Sequence, residues 1–167
     1  MSIYRNQKYG FEFELSEEWS PCTKALPLLP SLMFLFSNGW IPRADVEFTT
    51  GPNEYLNVTV ERIEPELPPE FLESFFAQYA QQMGFSFCVF GKIIASKKEH
   101  VWVSYQMTDN VWSKKYMIIL NGTGYAITAS CAGKELFIRR ESNWDQIAGS
   151  LQLIEPLKQD FNSPNRQ

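Results

Sequence analysis

Val111-Trp112-Ser113-Lys114-Lys115-Tyr116-Met117-Ile118-Ile119-Leu120, the turn Asn121-Gly122, and Gly124-Tyr125-Ala126-Ile127-Thr128-Ala129-Ser130-Cys131-Ala132 decide the fold. Both runs are rich in aromatic and β-branched residues, which suit a pleated, half-buried surface. Asn-Gly between two such runs is a strong hairpin signal, because both residues tolerate positive φ. The reading predicts strands over 111–120 and 124–132, joined tightly and therefore antiparallel, since parallel strands need a dozen or more connecting residues. Met117-Ile118-Ile119-Leu120 is apolar at consecutive positions, so it faces a core on both sides.

Upstream, 100–108 and 85–97 read as two further strands, with Asp109-Asn110 as turn chemistry, giving a four-strand meander. Before it, Phe71, Leu72, Phe75, Phe76, Tyr79 and Met83 recur at steps of one, three and four. That stripe predicts an amphipathic helix over 69–83, with Pro69 suited to its first turn and Gly84 to its end. Leu56, Val58 and Val60 alternate with Asn57, Thr59 and Glu61 in a strand, and Asp45 to Thr50 reads as a short one before the Gly51-Pro52-Asn53 turn.

At the amino end, Tyr9, Phe11, Phe13 and Leu15 share one face of a strand, and Ser16-Glu17-Glu18-Trp19 leads out of it towards Pro21. Residues 22–44 are irregular, punctuated by Pro27, Pro30 and Pro42, with Ser31 to Phe36 as a candidate buried strand. After Gly133, the residues Leu136, Phe137, Trp144, Ile147 and Ala148 fit a second helix, and Leu151-Gln152-Leu153 a short last strand. The expected architecture is one α+β domain over residues 1–156, a mainly antiparallel β-sheet of about six to seven strands packed with two principal helices. A polar tail occupies 157–167.

The chain has 167 residues, 44% of them hydrophobic and 15% aromatic, which is enough to build a core without disulfides or metal. Fifteen basic against 19 acidic residues give a formal charge of -4, the wrong sign for a nucleic-acid partner. The basic pairs Lys97-Lys98, Lys114-Lys115 and Arg139-Arg140 read as solvated surface. Neither a leader nor a run of the ~20 apolar residues needed for a membrane span is visible, so the expected location is cytoplasmic. Cys22, Cys88 and Cys131 are odd in number and widely spaced, which fits reduced, buried thiols.

Catalytic chemistry is thinly represented. His100 is the single histidine, and a general base needs an orienting partner such as Glu99 or Asp109. Neighbours on a strand point to opposite faces, so Glu99 and His100 diverge, and His100 reads as a surface residue at a strand start. Three cysteines and one histidine without Cys-x-x-Cys or His-x-x-x-His spacing predict no metal site. Cys131 and Cys88 sit in apolar alternations and read as small buried hydrophobes. Gly122-Thr123-Gly124 joins strand to strand, whereas phosphate loops lead into a helix, so no cofactor is predicted there. Asp45 and Glu47 share a strand face, a pair that serves either a carboxylate site or plain solvation.

Tyr9-Gly10-Phe11-Glu12-Phe13 with Glu18-Trp19, together with Gly124-Tyr125-Ala126-Ile127-Thr128-Ala129, Trp144, Ile147 and Ser150-Leu151, resembles the two ends of the Mog/PsbP-like superfamily. The resemblance implies an α/β sandwich and a binding protein without a reaction of its own. Such proteins include a nuclear-transport factor that binds the GTPase Ran, extrinsic subunits of photosystem II, and adaptor-chaperones of type VI secretion effectors. Leu26, Leu28, Leu29, Trp40 and Ile41 have no evident core assignment and are the candidate partner-binding residues. The leading expectation is therefore a non-catalytic protein-binding module, an adaptor or chaperone for an apolar segment. The alternatives are a small-molecule binder or enzyme with a pocket near His100, a photosystem-associated subunit, and a homo-oligomer formed through a sheet edge or the same patch.

Overall fold

In the computed structural model of the protein, Asn121 and Gly122 take φ of 50° and 72°, the left-handed pair that a type I′ hairpin requires. The turn joins β8 (Val111–Leu120) to β9 (Thr123–Ala132), which pair antiparallel from Leu120↔Thr123 to Val111↔Ala132. The structure describes residues 1–21, 44–62, 68–108 and 110–155.

This hairpin is the centre of a seven-stranded antiparallel sheet. β7 (Lys98–Thr108) and β6 (Ser86–Ala95) extend it beyond β8. On the other side follow β5 (Glu54–Arg62), β4 (Ala44–Gly51) and β3 (Ser20–Pro21), giving the order β3-β4-β5-β9-β8-β7-β6. A separate three-stranded sheet holds β1 (Ser2–Asn6), β2 (Phe11–Leu15) and β10 (Gln152–Leu153), with β2 in the middle.

The two-residue period of the strands divides the apolar side chains between two cores. Leu56, Val58, Tyr116, Ile118, Tyr125 and Ile127 face Phe11, Phe13 and Leu15 of β2 and Phe137, Trp144, Ile147 and Ala148 of α2 (Lys134–Gly149). On the opposite face Val101, Val103, Tyr105, Met117 and Ile119 meet Leu72, Phe76 and Ala80 of α1 (Pro69–Met83). Met117 to Leu120 are buried on both faces, as their unbroken apolar run predicts. α1 ends where Gly84 takes φ 73°, the left-handed C-cap expected of it. No helix among the described residues is long and apolar enough to cross a membrane.

Several features depart from the sequence reading, the two-residue strand β3 among them. β1 is a strand that was not expected; its burial is weak and irregular, so its pattern carries no period. The β6–β7 hairpin turns at Ser96 and Lys97, with φ of 49° and 61°, where strand was expected through 97. Ser-Lys lacks the Asn or Gly that marks such a turn. Cys88 is only half-buried, whereas Cys131 is fully buried. The candidate strand at 31–36 and the tail at 157–167 lie outside the described residues.

Candidate functional site

His100 is buried, at 4% exposure, which corrects its reading as a surface residue. Its Nδ1 accepts the backbone N–H of Ile119 at 3.3 Å, and its Nε2 lies 3.2 Å from the carbonyl oxygen of Ala95. These bonds set the tautomer, with the proton on Nε2, and make the imidazole a bridge between β8 and the end of β6. Glu99 does point the other way, as expected, and pairs with Lys92 at 3.0 Å. A cleft of about 670 Å³ opens nearby, where the Ser96-Lys97 and Asn121 turns meet Gly149 and Leu153. His100 does not line it, and the Ser96 hydroxyl is committed to the Leu151 carbonyl at 2.8 Å.

Asp45 and Glu47 stand opposite Thr59 and Asn57 in the β4–β5 register, and Glu47, Asn57 and Thr59 share one face of the sheet. That face, continuing across β9 and β8, carries Asn57, Thr59, Ser113, Lys115 and Ser130 as buried polar residues. The Ser113 and Ser130 hydroxyls lie 2.7 Å apart, and Thr59 donates to the Asn57 side-chain oxygen at 2.9 Å. Among the described residues no three His, Cys, Asp or Glu side chains come together. Gly122-Thr123-Gly124 lies at the β8–β9 hairpin and leads into strand, as its flanks predict.

The candidate partner residues Leu26, Leu28, Leu29, Trp40 and Ile41 lie outside the described residues. What is described is where their segment is attached. Ser20 and Pro21 of β3 pair with Thr49 and Phe48 of β4, so residues 22–43 connect the last two strands at one edge of the large sheet.

Two charged networks escaped the sequence reading, and both fix α2 to the sheet. Lys114 and Lys115 are not a solvated pair: they are 1% and 3% exposed and project to opposite faces of β8. Lys114 bridges Glu141 and Asp145 of α2, at 2.8 Å each. Tyr116 adds a hydrogen bond to Asp145 at 2.6 Å, and burial together with that bond pushes its phenol far above the ordinary range. In the second network Glu54, 4% exposed, accepts from Arg140 Nε at 2.7 Å and from Trp144 Nε1 at 2.6 Å. Arg140 also reaches Glu18 at 2.6 Å, so it too is no free surface charge. Burial lowers the guanidinium pKa, but the bonds to Glu54 and Glu18 outweigh it and raise the net value. A sequence scan finds neither network, because the partners meet only after α2 docks.

Among the described residues, a seven-stranded antiparallel sheet with a helix on each face and a small sheet beside α2 is the arrangement of the Mog/PsbP-like fold. Among solved structures, cyanobacterial PsbP (CyanoP) from Synechocystis sp. PCC 6803 is similar at 13% identity, covering 91% of each chain with a TM-score of 0.62. The Ran-binding protein Mog1p of Saccharomyces cerevisiae is similar at 7% identity over 92% of this chain and 95% of its own, with a TM-score of 0.54. A mutant of Mog1 gives 8%, 93%, 97% and 0.52 for the same quantities. No family model and no curated protein sequence matches the chain.

Proposed function

We propose that the protein is a non-catalytic protein-binding module whose docking residues are Leu26, Leu28, Leu29, Trp40 and Ile41. The observation that carries this reading is the pairing of β3 with β4, which anchors both ends of the apolar 22–43 connection on one edge of the large sheet. Binding surfaces are commonly built on the segments that join the elements of a rigid scaffold. The likeness to a Ran-binding protein supports the same class of function, although fold alone does not transfer a partner. Within that class we favour a cytoplasmic adaptor or chaperone that holds an apolar segment of a partner, as type VI effector chaperones do. The higher similarity to CyanoP supports a second reading, a photosystem-associated subunit.

The test is a cross-linked pull-down from source lysate with wild type and a Leu28→Asp, Trp40→Ala double variant, matched for folding by circular dichroism. A protein recovered only by wild type, and binding it directly once purified, supports the interface. Recovery of a photosystem component would select the second reading. Equal recovery by both chains, or none, overturns the patch and returns attention to the cleft at Ser96 and Leu153.

A further inference from the structure

The far edge of the same sheet carries a different feature. β6 is an edge strand, and its register with β7 breaks between Ser86 and Val89. Inside that break Phe87 takes φ 55°, a conformation that a bulky side chain adopts only under strain. Bulges of this kind re-aim a side chain. Here the Phe87 ring lies flat on Trp112, with centroids 5.7 Å apart and planes at 25°, yet stays 70% exposed. Trp112 rests on Phe137, and Phe137 on Trp144, each at 5.6 Å, so the exposed ring sits on a ladder reaching the core. Val89 on the same strand is 55% exposed. Ile138, next to Phe137 on α2, is 63% exposed.

The surroundings define what fits. The bulge breaks the flat edge, and Lys92 stands further along it, so an added β-strand is disfavoured. Lys134 holds its ammonium 5.6 Å from the Trp112 ring centre, and among the described residues no carboxylate pairs with it. Ile138 follows one turn later on the same side of α2. The N-terminus of α2 opens at Gly133 without a side-chain cap, and Glu135 in its first turn offsets the positive helix end, so the cation available to a partner here is Lys134.

We propose that Phe87, Val89, Trp112, Lys134 and Ile138 form a docking surface for a short acidic segment of another protein bearing an aromatic or large aliphatic anchor. The anchor stacks against Phe87 and Trp112, and its flanking carboxylate meets Lys134. This surface is on the opposite edge of the sheet from the β3–β4 connection and is independent of it.

The experiment selects random short peptides by phage display on the full chain. Enriched sequences are then synthesised and measured by fluorescence anisotropy against wild type, Phe87→Ser, Ile138→Ser and Lys134→Glu. Ile138 lies on a regular helix away from the bulge, so its variant tests the surface even if Phe87→Ser unfolds. The expected result is enrichment of an aromatic or aliphatic anchor beside Asp or Glu. Phe87→Ser and Ile138→Ser should each weaken binding about tenfold or more, and Lys134→Glu about fivefold, with a larger effect at low salt. No enrichment, enrichment without acidic residues, or binding that a folded variant leaves unchanged overturns the proposal. So does a concentration-dependent dimer in sedimentation that Ile138→Ser dissolves, since the occupant is then a second copy.

Discussion

The ammonium of Lys114 lies 3.8 Å from the centre of the Trp102 ring, inside the protein, with Glu141 and Asp145 closing the other side. A buried cation held by a ring face and two carboxylates is stable only while all of them stay in place. The carboxylates are 36% and 44% exposed, so they regain water if the cation is removed. Lys114→Ala, which also leaves a cavity, is therefore expected to cost about 3 kcal/mol, the lower end for a broken buried pair. Lys114→Met keeps the volume without the charge and should cost about 1 kcal/mol. Urea unfolding at constant m-value checks the order. An equal loss for both variants would show that the charge, and not the packing, sets the cost.

Trp102 depends in turn on an absent side chain. A Cβ on Gly91 would lie 2.2 Å from Trp102 Cζ2, far inside contact distance. The indole is held at that spot by Lys114 on its face and by a hydrogen bond from Nε1 to the Lys92 carbonyl at 3.2 Å. Gly91→Ala must displace the ring, with a cost of about 2 kcal/mol as overpacking and a shift in tryptophan fluorescence. Combining it with Trp102→Leu should recover much of that loss. If the double variant is no more stable than the sum of the single ones predicts, the clash is elsewhere.

The fold was legible where the chain writes its own turns and stripes. Asn121-Gly122 spells a hairpin, and the Phe71 to Met83 stripe with Gly84 spells a capped helix, so the meander and α1 were found with close bounds. Ser96-Lys97 bends as tightly but carries no such residues, and β6 was read too long. His100 was read as exposed because Lys97, Lys98 and Glu99 precede it, yet its burial is set by the backbone of β8. Lys114-Lys115 failed for a related reason. Of the two acids that neutralise Lys114, even the nearer in sequence, Glu141, lies 27 residues away on a helix that local charge pattern does not place against the sheet. The proposed partner residues between Leu26 and Ile41 lie outside the described residues, and the edge that their segment joins was visible only in the strand order.

Cys131 gives the protein a pH signature. Burial first, and the charge of Glu54 second, push its thiol from the ordinary 9.0 up to about 12, with Arg140 acting the other way. Between those values the unfolded chain has lost the proton and the native chain retains it. The native state then binds more protons, so stability falls as pH rises through that window and is fully present below it. Tyr105 and Tyr116, also raised by burial, add to the fall above pH 10.0. Denaturant titrations across alkaline pH should show a shallower decline for Cys131→Ala than for wild type, the remainder belonging to the other groups. Parallel curves would mean that the thiol ionises as readily in the folded protein as in the unfolded one.

The strain at Phe87 predicts an inverted ranking. At an ordinary strand position alanine is more stable than glycine by roughly 0.5–1 kcal/mol. At φ 55° alanine keeps the penalty of a Cβ in left-handed backbone, while glycine escapes it. Both substitutions lose the same ring stack on Trp112, so the difference between them isolates the backbone. Phe87→Gly is thus expected to be more stable than Phe87→Ala by about 1 kcal/mol, measured by thermal or urea unfolding of the two variants side by side. Both should lose the peptide binding that the exposed ring supports, because neither has an aromatic surface to offer. If alanine proves the more stable, the backbone is relaxed in solution and the bulge holds no strain. A glycine variant that is more stable but binds nothing would show a residue kept at a cost to the fold for the sake of the surface it presents.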